Sequence, residues 1–225
     1  MRSSPLVRYW SLYVPILIGL AYYALLALIL PKRASIALMS LFPASFIPPV
    51  GKNAILPAVY AVVSRELGEP MAAVIVAVTS IIIDLLMGAY VTLNFDYLKK
   101  VPKLGKAIEA GTRKLEIIFH RGTMRKITFS FLVLFVMVPI SGTGAVWASV
   151  LGRLMGFRPK MVLTAVFLGS SILNAMIIST VLVGEALHVK IELLVIILFV
   201  VFLLITVIGG AVVWKRLSSR GEPAS

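Results

Sequence analysis

ASIALMSLFPASFIPPVGKNAILPAVYAVV, residues 34–63, decides the fold: thirty residues apolar enough for a membrane, yet interrupted by Pro43, Pro48, Pro49, Gly51, Lys52, Asn53 and Pro57. Proline offers no N–H to a helix and its ring clashes with the preceding turn, so the cluster ends one helix and lets another begin. Each arm is then short. Residues 54–63 make about 15 Å of helix, half of a hydrocarbon layer of roughly 30 Å. A second stretch, ITFSFLVLFVMVPISGTGAVWASVLGRLMG at 127–156, is broken by Pro139 and the run Ser141-Gly142-Thr143-Gly144. The expectation in both places is a re-entrant helical hairpin that turns back near the midplane, with a single kinked span as the competing reading.

Around these stretches lie four further apolar segments, 10–30, 71–90, 161–183 and 191–214, each long enough to cross. The chain of 225 residues is 60% hydrophobic with a mean hydropathy of +1.03, well above the roughly 45–50% of a soluble domain. The first segment follows Arg2 and Arg8, but it is too long for a signal peptide and has no small-x-small cleavage site, so it reads as a retained span.

Loop charge chooses between hairpins and kinked spans. With two hairpins, the N-terminus, the loop 92–126, Arg158, Lys160 and the C-terminal tail share one side, carrying 16 basic and 4 acidic residues. The other side carries four of each sign, and Lys52, Arg153 and Asp84 remain in the membrane. If both broken stretches crossed once, the basic loop would fall outside, against the positive-inside rule. The expectation is therefore an all-α, multi-pass plasma-membrane protein with both termini cytoplasmic. The net charge of +13 then marks anionic lipid on the cytoplasmic side as a partner rather than nucleic acid. Within the basic loop, Leu104, Ile108, Leu115, Ile118 and Phe119 recur at helical spacing between Lys103, Lys106, Arg113, Lys114 and Arg121, the pattern of an amphipathic surface helix. A solvated linker is the alternative.

Sliding the chain over itself by 90 residues aligns the two broken stretches and the span after each without a gap. Pro49 falls on Pro139, Ala58 on Ala148, Met71 on Met161, Val76 on Val166, Ser80 on Ser170, Ile82 on Ile172, and Asp84 on Asn174. Since the first unit starts outside and the second inside, the repeat is inverted, a recurring transporter plan. The organisation expected is one membrane domain: a first span with its flanks (1–33), repeat unit one (34–90), a basic linker (91–126), repeat unit two (127–183), and a last span with its tail (184–225).

Asp84 sits among Ile81-Ile82-Ile83 and Leu85-Leu86. A carboxylate there costs about 2.5–3.5 kcal/mol unless protonated, paired or wet. That makes Asp84 the candidate proton-coupling group. The bland alternative is a structural carboxyl paired with Lys52 or capping a broken helix. Lys52 and Asn53 stand at the first hairpin's turn and are candidate substrate ligands, unless the hairpin is shallow and Lys52 reaches headgroups. Ser141, Gly142, Thr143 and Gly144 open the second hairpin's returning helix, where free N–H groups suit an anion. Arg153 on that helix either joins the substrate site or snorkels to headgroups. Asn174 offers a polar partner in the place equivalent to Asp84, or only joins helices. His120 and His188 fall on opposite sides, so no metal site is expected, and zero Cys removes thiolate chemistry. With neither a nucleophile elbow nor a phosphate-binding loop, no enzyme and no cofactor are expected.

Residues 135–156, FVMVPISGTGAVWASVLGRLMG, resemble the "PxPGTGAW…LLGL" hairpin of the small multi-drug export protein family, and FPASFIPPVGKNAILPAVYA at 42–61 occupies the place of its first hairpin. The resemblance covers about 34–183. The family is similar to DedA-type proteins, which share the hairpin-plus-span repeat and are linked to proton-dependent drug tolerance and lipid translocation. DedA-type proteins carry acidic residues in the first hairpin and an Arg soon after the second hairpin's Pro. Lys52 and Gly142 stand in those regions here, so those roles do not carry over. The function expected is a DedA-like secondary transporter of a small molecule or lipid driven by the proton gradient, with Asp84 as the titrating group and the hairpin tips lining the substrate site; a homo-oligomer is a possible assembly. A flippase or scramblase of a lipid phosphate and a non-transporting assembly protein are the alternatives. Lys52 and Arg153 tilt the choice of cargo toward a phosphate.

Overall fold

The computed structural model describes residues 5–47, 51–98, 100, 122–137 and 144–187. Their regular structure is helical throughout: α1 (Pro5–Ile29), α2 (Lys32–Ala44), α3 (Gly51–Leu67), α4 (Glu69–Leu93), α5 (Phe95–Leu98), α6 (Gly122–Met137), α7 (Gly144–Leu154) and α8 (Pro159–Leu187). Residues up to 178 form one compact unit, and the end of α8 begins a second.

Three described helices, α1, α4 and α8, are long and apolar enough to cross a membrane, matching the expected segments 10–30, 71–90 and 161–183. Trp10, Leu20 and Leu28 of α1 are exposed, Leu28 by 84%. A soluble protein could not afford such a helix face, whereas hydrocarbon is its natural solvent. The expected fourth span at 191–214 and the amphipathic helix in the basic loop lie outside the described residues.

Pro48, Pro49 and Pro139 lie outside the described residues, and in each interrupted stretch one helix ends and another begins, at Ala44 and Gly51 in the first and at Met137 and Gly144 in the second. The first becomes α2 and α3, which pack against each other along their apolar faces: Ala34, Leu38 and Leu41 on α2, Leu56, Val59, Tyr60 and Val63 on α3, all buried. Arg33 Nη1 lies 4.0 Å from Glu66 Oε1, so the start of α2 and the end of α3 meet and the chain doubles back. The arms are longer than the sequence suggested. α3 has 17 residues, not the ten of 54–63, and makes about 25 Å of helix. The reason is positional. Pro57 withholds a donor only from the carbonyl four residues back, at Asn53 in the first turn, where the helix has little to lose. α6, with 16 residues, packs on the eleven-residue α7 in the second stretch.

Each stretch builds its own core. The α2–α3 pair covers Ala72, Val76 and Ile83 of α4, while Leu132 and Val136 of α6, Ala145 and Ala148 of α7, and Phe157, Val162, Ala165 and Val166 around the start of α8 form a second cluster. Small residues let the helices touch. A Cβ on Gly169 would stand 2.6 Å from Val136 Cβ and 2.7 Å from the Val133 carbonyl oxygen, so α8 meets the α6 backbone there. α7 ends on Gly156 at φ 75°, with Gly156 N–H donating to Arg153 O and Phe157 N–H to Gly152 O. This left-handed C-terminal cap turns the chain into α8.

Pro15 lies inside α1 and denies the Ser11 carbonyl its helical donor. Asn94, just past α4, supplies one instead: its Nδ2 donates to Ser11 O at 2.9 Å and its Oδ1 accepts from Ser11 Oγ at 3.0 Å. A helix defect thus becomes the clasp between α1 and α4.

Candidate functional site

The first turn of α3 carries Lys52, an awkward place for a cation because the helix N-terminus is the positive end of its dipole. The side chain is also buried, with 3% of the residue exposed. Both costs are met from α4. Lys52 Nζ lies 3.0 Å from Asp84 Oδ2 and donates to Ser80 Oγ. Asn53 Oδ1 stands at 3.5 Å from the same nitrogen. Ser80 and Asp84 are four apart on α4, hence on one face.

A second pair approaches from α8 at the same spacing. Ser170 Oγ donates to Asp84 Oδ2. Asn174 Nδ2 donates to the Ser170 carbonyl at 2.7 Å and to Ser170 Oγ at 3.2 Å. The chain of bonds runs one way from each end: Asn174 to Ser170 to Asp84, and Lys52 to Asp84. Lys52 and Ser170 both present donors to Asp84 Oδ2. One polar atom is left over. Asn174 Oδ1 is buried and accepts no hydrogen bond among the described residues.

Removing either partner of such a pair leaves a buried charge uncompensated, a cost of about 3–5 kcal/mol. Next to it, Tyr22 of α1 holds Thr79: Thr79 Oγ1 donates to Ile75 O at 2.7 Å, so Tyr22 OH, 2.7 Å away, donates to Thr79.

The structure therefore brings together four of the sequence candidates, Lys52, Asn53, Asp84 and Asn174. The Lys52–Asp84 pairing belongs equally to the coupling reading and to the structural alternative. Arg153 is held elsewhere: its Nη1 donates to Phe157 O at 3.1 Å and its guanidinium lies 5.5 Å from the centre of the Phe95 ring. Ser141, Gly142 and Thr143 lie outside the described residues, as do His120 and His188. Gly144 begins α7, where a Cβ would stand 3.2 Å from Val136 O. Among the described residues no three His, Asp or Glu side chains gather to hold a metal.

Sequence reasoning passed over Ser80 and Ser170. The signal was present, because the 90-residue register places Ser80 on Ser170 one turn before Asp84 on Asn174.

The sequence model of the family described as "Putative small multi-drug export protein" matches residues 52–178. The chain belongs to this family. The match is narrower at both ends than the resemblance read from the hairpins, and all six members of the polar cluster fall within it, from Lys52 to Asn174. No curated protein and no solved structure matches the chain.

Proposed function

We propose that this family member is a proton-coupled membrane transporter in which Asp84 takes up and releases the proton, with the substrate site beside the hairpin turns. The observation that carries the reading is the buried Lys52–Asp84 pair joined to Ser80 and Ser170. With Asp84 ionised, the pair is neutral and all its donors are used. Protonation turns the acceptor into a donor, and Lys52, Ser170 and the new carboxyl O–H compete. Asn174 Oδ1 is the buried acceptor in reach of Ser170 and can take the displaced donor. The α3–α4 contact through Lys52 weakens while the α4–α8 bond between Asp84 and Ser170 is kept with its direction reversed, so one proton shifts the balance between two helix packings.

The same reading keeps the hairpins re-entrant, the repeat inverted and DedA-like, and both termini cytoplasmic. Its support is that positions 90 apart, Ser80 with Ser170 and Asp84 with Asn174, fall in one hydrogen-bonded cluster around Asp84. Translocation of a lipid phosphate is the second reading. It draws on Lys52 as the anion-binding cation, and with that nitrogen committed to Asp84 it also needs the pair to open.

Liposomes containing the protein and a lumenal pH-sensitive dye test the first reading. Ethidium added outside an imposed pH gradient is expected to cross with proton movement, and Asp84→Asn to abolish the coupled flux. Coupled flux that survives Asp84→Asn overturns it. Headgroup-labelled phosphatidylglycerol that crosses faster in the same liposomes, with loss on Lys52→Ala, establishes the lipid reading instead.

A further inference from the structure

Among the described residues, the buried polar atoms without a hydrogen-bond partner away from this cluster include Thr92 Oγ1, Ser149 Oγ and Arg153 Nε. The fold makes them neighbours. Ser149 Oγ stands 3.1 Å from the position of a Cβ on Gly88, so α7 and α4 touch at that level. One helical turn further on, Gly88 leads to Thr92 and Ser149 leads to Arg153. The guanidinium of Arg153 then lies over Phe95, three residues beyond Thr92. Thr92 is eight residues past Asp84 on α4, about 12 Å along the helix axis, so this is a separate place in the molecule.

Arg153 is also a cation without an acid. The ion pairs among the described residues are Arg33–Glu66 and Lys52–Asp84, and the partners of Arg153 are a carbonyl and a ring. With Nη1 given to Phe157 O, the guanidinium retains the edge formed by Nε and Nη2. That edge is a two-pronged donor whose geometry fits two oxygens of one tetrahedral anion. Two hydroxyl donors, Thr92 and Ser149, stand on the adjoining faces, and the Phe95 ring fixes the plane of the fork.

We propose that Thr92, Ser149 and Arg153 form an anion site that takes a phosphate group, either the headgroup phosphate of an anionic phospholipid or inorganic phosphate. An added anion supplies at once what the three atoms lack, an acceptor for each and a negative charge for the guanidinium. The site is independent of proton coupling and stands even if the transport reading fails.

The test uses the full chain in detergent, with phosphatidylglycerol or inorganic phosphate as probe, bound lipid counted by native mass spectrometry and thermal stability followed in parallel. Phosphatidylglycerol is expected to be retained and to raise the melting temperature. Arg153→Gln and Thr92→Val each weaken retention about tenfold or more, the scale of one lost charge-assisted hydrogen bond. Thr92→Ser restores it, and Arg158→Gln, which removes an exposed arginine nearby, leaves it unchanged. If inorganic phosphate gives the Arg153-dependent stabilisation and the lipid does not, the ligand is free phosphate. Retention unchanged in Arg153→Gln, or lost equally in Arg158→Gln, overturns the site. Because a misfolded Arg153→Gln would mimic lost binding, Arg153→Lys is measured too: a folded, monodisperse Arg153→Lys protein that binds as tightly as the parent also overturns it.

Discussion

Asp84 and Lys52 hold each other in place, and neither is tolerable alone. Asp84→Asn or Lys52→Met is expected to destabilise the protein by about 3–5 kcal/mol, whereas Lys52→Met with Asp84→Leu loses much less, because a buried pair replaced by apolar residues is close to neutral. Chemical unfolding of the four proteins in one detergent checks this, and additive losses would count against a direct pair. Asn174→Asp brings a second carboxylate to the same hydroxyl. Like charges disfavour ionisation, so this variant is expected to be less stable than the parent at neutral pH and to regain the difference as the pH falls, read from paired melting curves. At this scale the sequence was legible where a residue was costly. A charge inside an apolar run announces itself, and Lys52 and Asp84 did. Ser80 and Ser170 did not, since a serine in a membrane helix has many ordinary uses, and only the register joined them to the charged pair.

At the level of elements, the interruptions were readable because proline chemistry is local: one helix ends at Ala44 and the next begins at Gly51, and α6 ends at Met137 before α7 begins at Gly144. Arm length was misjudged, since it depends on which carbonyl a proline orphans. Pro57 orphans one in the first turn and α3 continues to Leu67. The same chemistry gives a prediction at α1. Asn94→Ala removes the Nδ2 bond to Ser11 O and is expected to cost about 1–3 kcal/mol. In a Pro15→Ala background the backbone N–H of residue 15 takes over and the cost of Asn94→Ala shrinks. A thermal double-mutant cycle measures that coupling. Enlarging Gly169 to Leu separates α8 from α6, because the backbone oxygen of Val133 cannot yield as a side chain can. The expected result is a fall in stability of several kcal/mol, on the order of a serious overpacking defect.

For the whole molecule, membrane character was evident from composition and segment length, which depend on no tertiary detail. The convergence of α3, α4 and α8 on Asp84 was not, since packing decides which faces meet. The doubling back of α2 and α3 carries its own test. The chain has no cysteine, so Arg33→Cys and Glu66→Cys can each be labelled with a membrane-impermeant maleimide in intact cells. Both are expected to label from the same side, and labelling from opposite sides would contradict the folded-back hairpin. If α3 moves when Asp84 is protonated, it does so carrying Lys52, whose charge is no longer cancelled. The ionised pair is electrically silent, but the protonated one is a single positive charge on a movable helix start, and each elementary charge carried across 100 mV changes the energy by about 2.3 kcal/mol. Under the proposed coupling, the step that bears the proton would be driven by membrane voltage, and the return step would not.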